Sequence, residues 1–153
     1  MDDRMFRNAM GKFATGVTVL TTEVDGKVHG MTANAFMSVS LNPKLVLISI
    51  GENAKMHDKV RQSKKYAVSF LNGNQEEVSR QFAGQLQEER EANFESFNGM
   101  PVIRDSLGVL TCNVVAEHQA GDHTLFIGEV SDINLKEDEP LVFYQGKYRE
   151  LTS

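Results

Sequence analysis

The stretch that decides the fold is Val17-Thr-Val-Leu-Thr-Thr-Glu-Val24, followed by Asp25-Gly26 and then Lys27-Val-His-Gly-Met-Thr-Ala33. Six of the eight residues from Val17 to Val24 are β-branched, and such side chains suit a pleated surface better than a helix. Asp-Gly between two extended runs is the pair that a two-residue hairpin turn requires, because both central residues take positive φ. An antiparallel hairpin is therefore expected here, and with it a sheet assembled from hairpins.

Upstream, Met5, Phe6, Ala9, Met10 and Phe13 recur at helical spacing and predict a short amphipathic helix over residues 5–14, ended by Gly16. Downstream, residues 34–41 alternate small, polar and apolar types before Asn42-Pro43 breaks the chain. Leu45-Val-Leu-Ile-Ser-Ile50 is apolar on both faces and reads as a central strand covered on each side. Asn53 is placed to cap a helix containing Met56 and Val60 and running to Ser63, and residues 66–71 read as another strand. Asn74 is placed to cap a helix through Gln81-Phe82-Ala83, with Gly84 as its stop. Residues 85–98 are charged, punctuated by Phe94 and Phe97, and read as a helical or irregular surface segment.

The last third is β. Residues 107–116 set Leu110, Cys112, Val114 and Ala116 on one side, with Val109 and Val115 on the other. Gly121-Asp122 turns the chain, and residues 123–133 return it with Leu125, Ile127 and Ile133 on one face. Leu141-Val-Phe-Tyr144 is a final short strand. Six or seven strands with two or three helices, ordered mostly as hairpins, predict a mainly β fold whose antiparallel sheet closes into a barrel. Regular strand–helix alternation, which a doubly wound parallel sheet needs, is confined to residues 45–83.

Composition narrows the function. A chain of 153 residues, 41% hydrophobic and 24% charged, reads as one globular domain over residues 1–153. Its net charge of −5 argues against a nucleic-acid-coating protein, which needs a dense cationic face. The single Cys112 excludes an internal disulfide and any metal site built on paired cysteines, and the four histidines show no HExxH spacing. No apolar run reaches the roughly 18–20 residues that span a bilayer, and the opening MDDRMFRNAM lacks a signal peptide's apolar centre. A cytoplasmic protein without a structural metal is the expectation.

A nucleophile is hard to find. There is no GxSxG, GxGxxG or P-loop pattern, Cys112 lies mid-strand among apolar neighbours, and Glu88, Glu89, Glu91 and Glu95 read as a solvated face. Three segments carry small residues and donors instead. Residues 30–40 offer Thr32, Asn34, Ser38 and Ser40 with little bulk, the kind of edge that receives a planar polar ring. Asn53-Ala-Lys-Met-His57 would open a helix whose free N–H groups, Lys55 and His57 could hold an anion. Gly121-Asp122 would project His123 from the mouth of the next strand, and Gly128 within that strand marks a bulge or a close backbone approach. Taken singly, each reads first as an ordinary connection, a capped helix or a surface histidine.

Together they resemble the FMN-binding split barrels of the flavin reductase-like family. The resemblance lies in residues 6–19 (FRNAMGKFATGVTV), Gly30-Met-Thr-Ala-Asn-Ala-Phe36 with Ser38-Val-Ser-Leu41, and Gln81-Phe-Ala-Gly84. It continues in residues 120–130 (AGDHTLFIGEV), Pro140-Leu-Val-Phe-Tyr144 and Gly146-Lys-Tyr-Arg149, so that it covers nearly the whole chain in the family's order. It implies an antiparallel split β-barrel flanked by helices. It further implies a homodimer binding FMN or FAD in a groove lined partly by the partner, with NADH or NADPH as hydride donor. The reduced flavin either stays bound or passes to a separate monooxygenase.

Carried over residue by residue, Thr32, Ala33 and Asn34 with Ser38, Val39 and Ser40 would hold the ring edge and ribityl chain. Asn53, Lys55 and His57 belong to the phosphate segment, and Phe82 and Ala83 would lie near the flavin tail. His123, set by Gly121 and Asp122, would line the nicotinamide side as the catalytic residue. Ala35 and Met56 stand where the family commonly offers Ser and a small hydroxyl residue. A non-catalytic protein that binds or senses FMN is the alternative from another functional class, and a split barrel for another cofactor such as haem is a third.

Overall fold

The Asp25-Gly26 turn takes φ of 52° and 77°, as a two-residue hairpin between twisted strands requires. It joins β2 (Thr18–Val24) to β3 (Lys27–Ala33), paired from Thr18↔Ala33 to Val24↔Lys27. These elements belong to a computed structural model in which residues 1–85 and 93–152 are described. The expectations for Glu88, Glu89 and Glu91, and for most of residues 85–92, lie outside the described residues.

Before the hairpin come α1 (Asp3–Gly11) and β1 (Thr15–Gly16); after it come β4 (Phe36–Ser40), β5 (Leu45–Gly51), α2 (Lys55–Ser63), β6 (Lys65–Phe70) and α3 (Glu76–Phe82). The rest is β: β7 (Phe94–Phe97), β8 (Met100–Ile103), β9 (Gly108–Ala120), β10 (His123–Leu135), β11 (Val142–Tyr144) and β12 (Lys147–Arg149). Seven strands form one antiparallel sheet in the order β3-β2-β6-β9-β10-β5-β4, while β1-β11-β12 and β7-β8 form two small ones.

Closure follows from one connection. Strands β3 and β4 lie at opposite edges of the seven-stranded sheet, yet only Asn34 and Ala35 separate them. Laid flat, six strand spacings of about 4.8 Å would hold the edges roughly 29 Å apart. Three Cα steps cover about 11 Å at full stretch. The sheet must therefore curl until its edges meet at this corner, where Ala35 O accepts from Ser49 N at 3.3 Å. Away from the corner the two edges stay unpaired, and the barrel is split.

The barrel interior is filled by Leu20, Ile48, Ile50, Tyr66, Val68, Leu110 and Phe126, with Met56 and Val60 of α2 packed into it. Strands β2 and β6 are buried on both faces because a second layer covers them outside. Val17, Val19 and Leu71 pack with Ile103 and Leu141, joined by Val78 and Phe82 of α3 and by Phe143 and Tyr148 of the last hairpin. Ala67 and Val109 pack under Met100 and Val102 of the β7–β8 hairpin.

Several local expectations are corrected. The stretch expected to be central, β5, is next to the edge: Val46, Ile48 and Ile50 point inward, but Leu45 and Leu47 remain half-exposed because no element of the chain covers them. The first helix stops at Gly11 with Lys12 as its C-cap, and Gly16 is in a strand. Neither expected asparagine caps its helix. Ala54 precedes α2 and Gln75 precedes α3, both without a side-chain cap. Asn74 instead donates its N–H to Asn72 Oδ1 at 2.8 Å in a local turn.

Part of the segment expected to be helical or irregular, Phe94–Phe97, is a strand, turned into β8 by Asn98 and Gly99 at φ of 50° and 76°. Twelve strands stand among the described residues, more than the six or seven expected, because this hairpin and that of β11–β12 add short ones. On β10 the core side is Thr124, Phe126 and Gly128, while Leu125 and Ile127 share the half-exposed outer face.

Gly128 meets the expectation made for it. A bulge leaves Val115 unpaired between Ala116↔Ile127 and Val114↔Gly128. A Cβ on Gly128 would sit 2.7 Å from Tyr66 Cζ and 2.8 Å from Cys112 Cβ. The buried Tyr66 ring needs that space, and Cys112 Cβ cannot swing away from its own backbone. Gly128→Ala should lower the free energy of unfolding in urea by about 1–3 kcal/mol. Gly16→Ala, whose Cβ would meet nothing within 4 Å, should change it by less than about 1 kcal/mol.

Candidate functional site

The corner at Asn34 opens on two adjoining hollows, both lined by Val17 and Asn34. The larger, about 390 Å³, has apolar walls of Phe13, Phe36, Phe70, Leu107 and Leu141. Thr15 also lines it, and Thr15 Oγ1 is the one buried side-chain oxygen or nitrogen among the described residues with no hydrogen-bond partner. Buried polar atoms are rarely left so unless a ligand or water completes them. The smaller hollow, about 180 Å³, is bounded by Thr32, Ala33, Ser79, Ala83, Gln85, Phe143 and Tyr148. Flat apolar walls with a few hydroxyl, amide and backbone groups at the rim suit a planar polar ring.

The wall of the smaller hollow is braced from within the chain. Thr32 Oγ1 donates to Ser79 O at 2.6 Å, and Ser79 Oγ shares a 2.6 Å hydrogen bond with Tyr148 Oη. Thr18 Oγ1 donates to Ala33 O at 2.6 Å. Phe82 packs on Gly30, where a Cβ would lie 2.9 Å from two ring carbons. These ties lock α3, β3 and the last hairpin around Asn34. Thr15, Ser79, Phe143 and Tyr148 were not read from the sequence as site residues. Tyr148 had a signal in the Gly146-Lys-Tyr-Arg149 motif, whereas Ser79 had none.

Pairing through β5 ties other candidates to the Asn34 corner. Ser49 bonds to Ala35, Leu125 pairs with Ser49, and His123 pairs with Gly51. The chain leaves Gly51 through exposed Asn53 into α2, whose first residue, Lys55, is exposed. The Gly121 turn, at φ 62°, sets Asp122 and His123 beside it, and Glu52 N donates to Asp122 O at 3.0 Å. His123 is half-exposed, with its Nδ1 2.8 Å from Asp122 Oδ1. That hydrogen bond and the charge on His123 hold the Asp122 carboxyl below the usual range. With Nδ1 engaged, Nε2 is the nitrogen left to meet a ligand.

Other candidates are placed apart. Ser38 and Val39 are exposed and Ser40 half-buried along edge strand β4, which runs from the corner toward Leu45. Met56 is 2% exposed and packs in the core. His57 also turns inward, 5% exposed, with Nε2 in a 2.7 Å hydrogen bond to Thr124 Oγ1. The structure thus joins Thr32, Ala33, Asn34 and Ala83 at one hollow, sets Asn53, Lys55 and His123 around the Gly51 end of β5, and turns His57 inward, away from both. A larger groove of about 440 Å³ by α3 is lined by side chains already bonded to one another, such as Arg104 to Asn93 and Lys136 to Asp105.

No cluster of metal ligands exists among the described residues. Burial pushes the Cys112 thiol up to about 12 and the Tyr66 phenol above its ordinary range, so neither ionises near neutrality. Native protein at pH 8 should react with iodoacetamide at least about a hundredfold more slowly than protein in guanidinium. Both groups hold their protons more tightly folded than unfolded. Unfolding midpoints should therefore fall as pH rises from about 9 toward 12.

Comparison with known proteins bears on what the chain does. Residues 10–152 match the family model described as the flavin reductase like domain. An NADH-dependent flavin reductase from Rhodococcus sp is 49% identical over 95% of this chain and 84% of its own length. The reductase component of 4-hydroxyphenylacetate 3-monooxygenase from Thermus thermophilus is 37% identical over 95% of each chain. The solved structure of flavin reductase PheA2 in its native state superposes with a TM-score of 0.98 at 65% identity, over 100% of both chains.

Proposed function

The chain belongs to the flavin reductase-like family, and we propose that its groove lies at the split end of the barrel, between the Asn34 corner, the Lys55 turn and His123. It is an NAD(P)H-dependent flavin oxidoreductase, with NADH as the donor its relatives use and FMN or FAD as the flavin. The observation that carries the assignment of the site is the gathering of Ala35, Ser49, Gly51 and His123 at one end of adjacent strands, beside the apolar hollow with its unpartnered Thr15 hydroxyl.

Bound flavin supplies the redox chemistry by taking hydride from the nicotinamide. The chain binds, orients and excludes water. Thr32, Ala33 and Asn34 would meet the polar edge of the ring, with the Thr15 hydroxyl at the apolar wall. Ser38, Val39 and Ser40 offer hydroxyl and backbone groups for the ribityl chain. Asn53, Lys55 and the uncapped first turn of α2 would hold the phosphate, since that helix start lacks a side-chain acceptor for its N–H groups. Phe82 shapes the tail end through α3, and Ala83 is exposed beside it. His123, oriented by Asp122 across the Gly121 turn, presents Nε2 to the nicotinamide side, where it can bond the carboxamide or pass a proton.

Relatives named as reductases support turnover over passive binding or sensing. The relative that serves a monooxygenase supports release of reduced flavin to a separate oxygenase component. The homodimer is supported by a bare apolar stripe on the outer face, where Met37, Leu47 and Ile127 pair side by side across β4, β5 and β10. The single thiol, buried and unpaired, and the use of NADH support a cytoplasmic site of action.

Anaerobic NADH should bleach flavin absorbance near 450 nm in the presence of the protein; unchanged absorbance overturns the site and the activity together. His123→Ala should raise the KM for NADH about tenfold while kcat falls less than about threefold, the mark of lost ground-state binding. Sedimentation should give twice the 17.1 kDa chain mass, and Leu47→Glu should shift it toward one chain.

A further inference from the structure

The buried histidine that the phosphate segment does not use is itself placed to do something. His57 is 5% exposed and Thr124 3%, and their side chains share a 2.7 Å hydrogen bond inside the barrel mouth. The imidazole also stands edge-on to Phe126, with ring centroids 5.7 Å apart, and Nδ1 lies 3.4 Å from the exposed Asp58 carboxylate. An imidazole taken out of water is costly unless it is bonded, and here a hydroxyl from a different element meets Nε2 while the neighbouring carboxylate faces Nδ1.

Position gives the bond its consequence. His57 is two residues beyond Lys55 on the first turn of α2, and Thr124 directly follows His123 on β10. Around them the same two segments are stitched again: Glu52 N donates to Asp122 O at 3.0 Å, and Gln119 Nε2 donates to Glu52 Oε1 at 2.9 Å. Those outer ties are at the surface, whereas the His57–Thr124 bond is the buried one.

We propose that His57 is a positioning residue that, through Thr124, fixes the distance between the Lys55 turn and His123, and so the fit of nicotinamide against bound flavin. The inference rests on the reading of Lys55 and His123 as ligand-facing groups. His57 touches neither ligand. It sets the spacing of the groups that do.

Chemistry offers a clean separation of positioning from stability. Removing one partner of a buried hydrogen bond strands the other, but replacing both with apolar groups of similar shape is close to neutral for folding. The double variant H57L/T124V should therefore keep a near-native urea midpoint. Its KM for NADH should nevertheless rise about tenfold, with kcat changed less than about twofold. In ligand-free protein, hydrogen exchange at the Glu52 amide should quicken about tenfold, with Val68 and Leu110 unchanged.

H57Q, whose amide reaches as far as the imidazole Nε2, should restore native values of both. Native KM and native Glu52 exchange in the double variant overturn the proposal, as does a uniform loss of protection that includes Val68. Failure of the reductase reading would show separately, as wild-type protein that does not oxidise NADH. The exchange measurement needs no ligand.

Discussion

Asn34 and Ala35 carry the constraint on which the rest depends. A two-residue link between strands at opposite edges of a seven-stranded sheet leaves no flat solution, because the chain cannot reach across the sheet's own width. The sheet closes there and stays open elsewhere, which gives the barrel both its core and its split. The same corner exposes backbone and amide groups at the rim of an apolar hollow. Closure and the hollow at the corner are thus consequences of one short connection.

Closing seven strands around side chains as large as Tyr66 and Phe126 leaves little slack, and the chain meets this by omitting atoms. Gly128 gives its side-chain volume to Tyr66, and Gly30 gives its own to Phe82. Both lie near the proposed site: Phe82 packs α3 against β3 at Gly30, and the bulge beside Gly128 falls in the hairpin that carries His123. Packing in the core therefore reaches the rim through the strands themselves.

Much of this was legible in the residues. The β-branched run ending in Asp-Gly, the Gly121-Asp122 turn and the Gly84 stop all carry their conformations locally, and each was placed correctly. The capping asparagines misled, because Asn53 and Asn74 suit several turn geometries and tertiary contacts selected others. Asn98-Gly99 and Gln145-Gly146 are hairpin turns flanked by runs of three or four residues, too short to show alternation. Leu45-Val-Leu-Ile-Ser-Ile50 read as a covered strand because apolar residues on both faces indicate what a strand can bury, not whether this chain supplies the cover.

The sequence by itself determined the hairpin turns, the mainly β class and the inert thiol, since each follows from nearest-neighbour chemistry or from spacing along the chain. Only the tertiary structure decided which faces meet. It turned His57 inward to Thr124, 67 residues away in the chain, and joined Thr32 to Ser79 and Ser79 to Tyr148. Such pairings depend on how far the sheet has curled, a property of seven strands together that no local stretch of residues encodes.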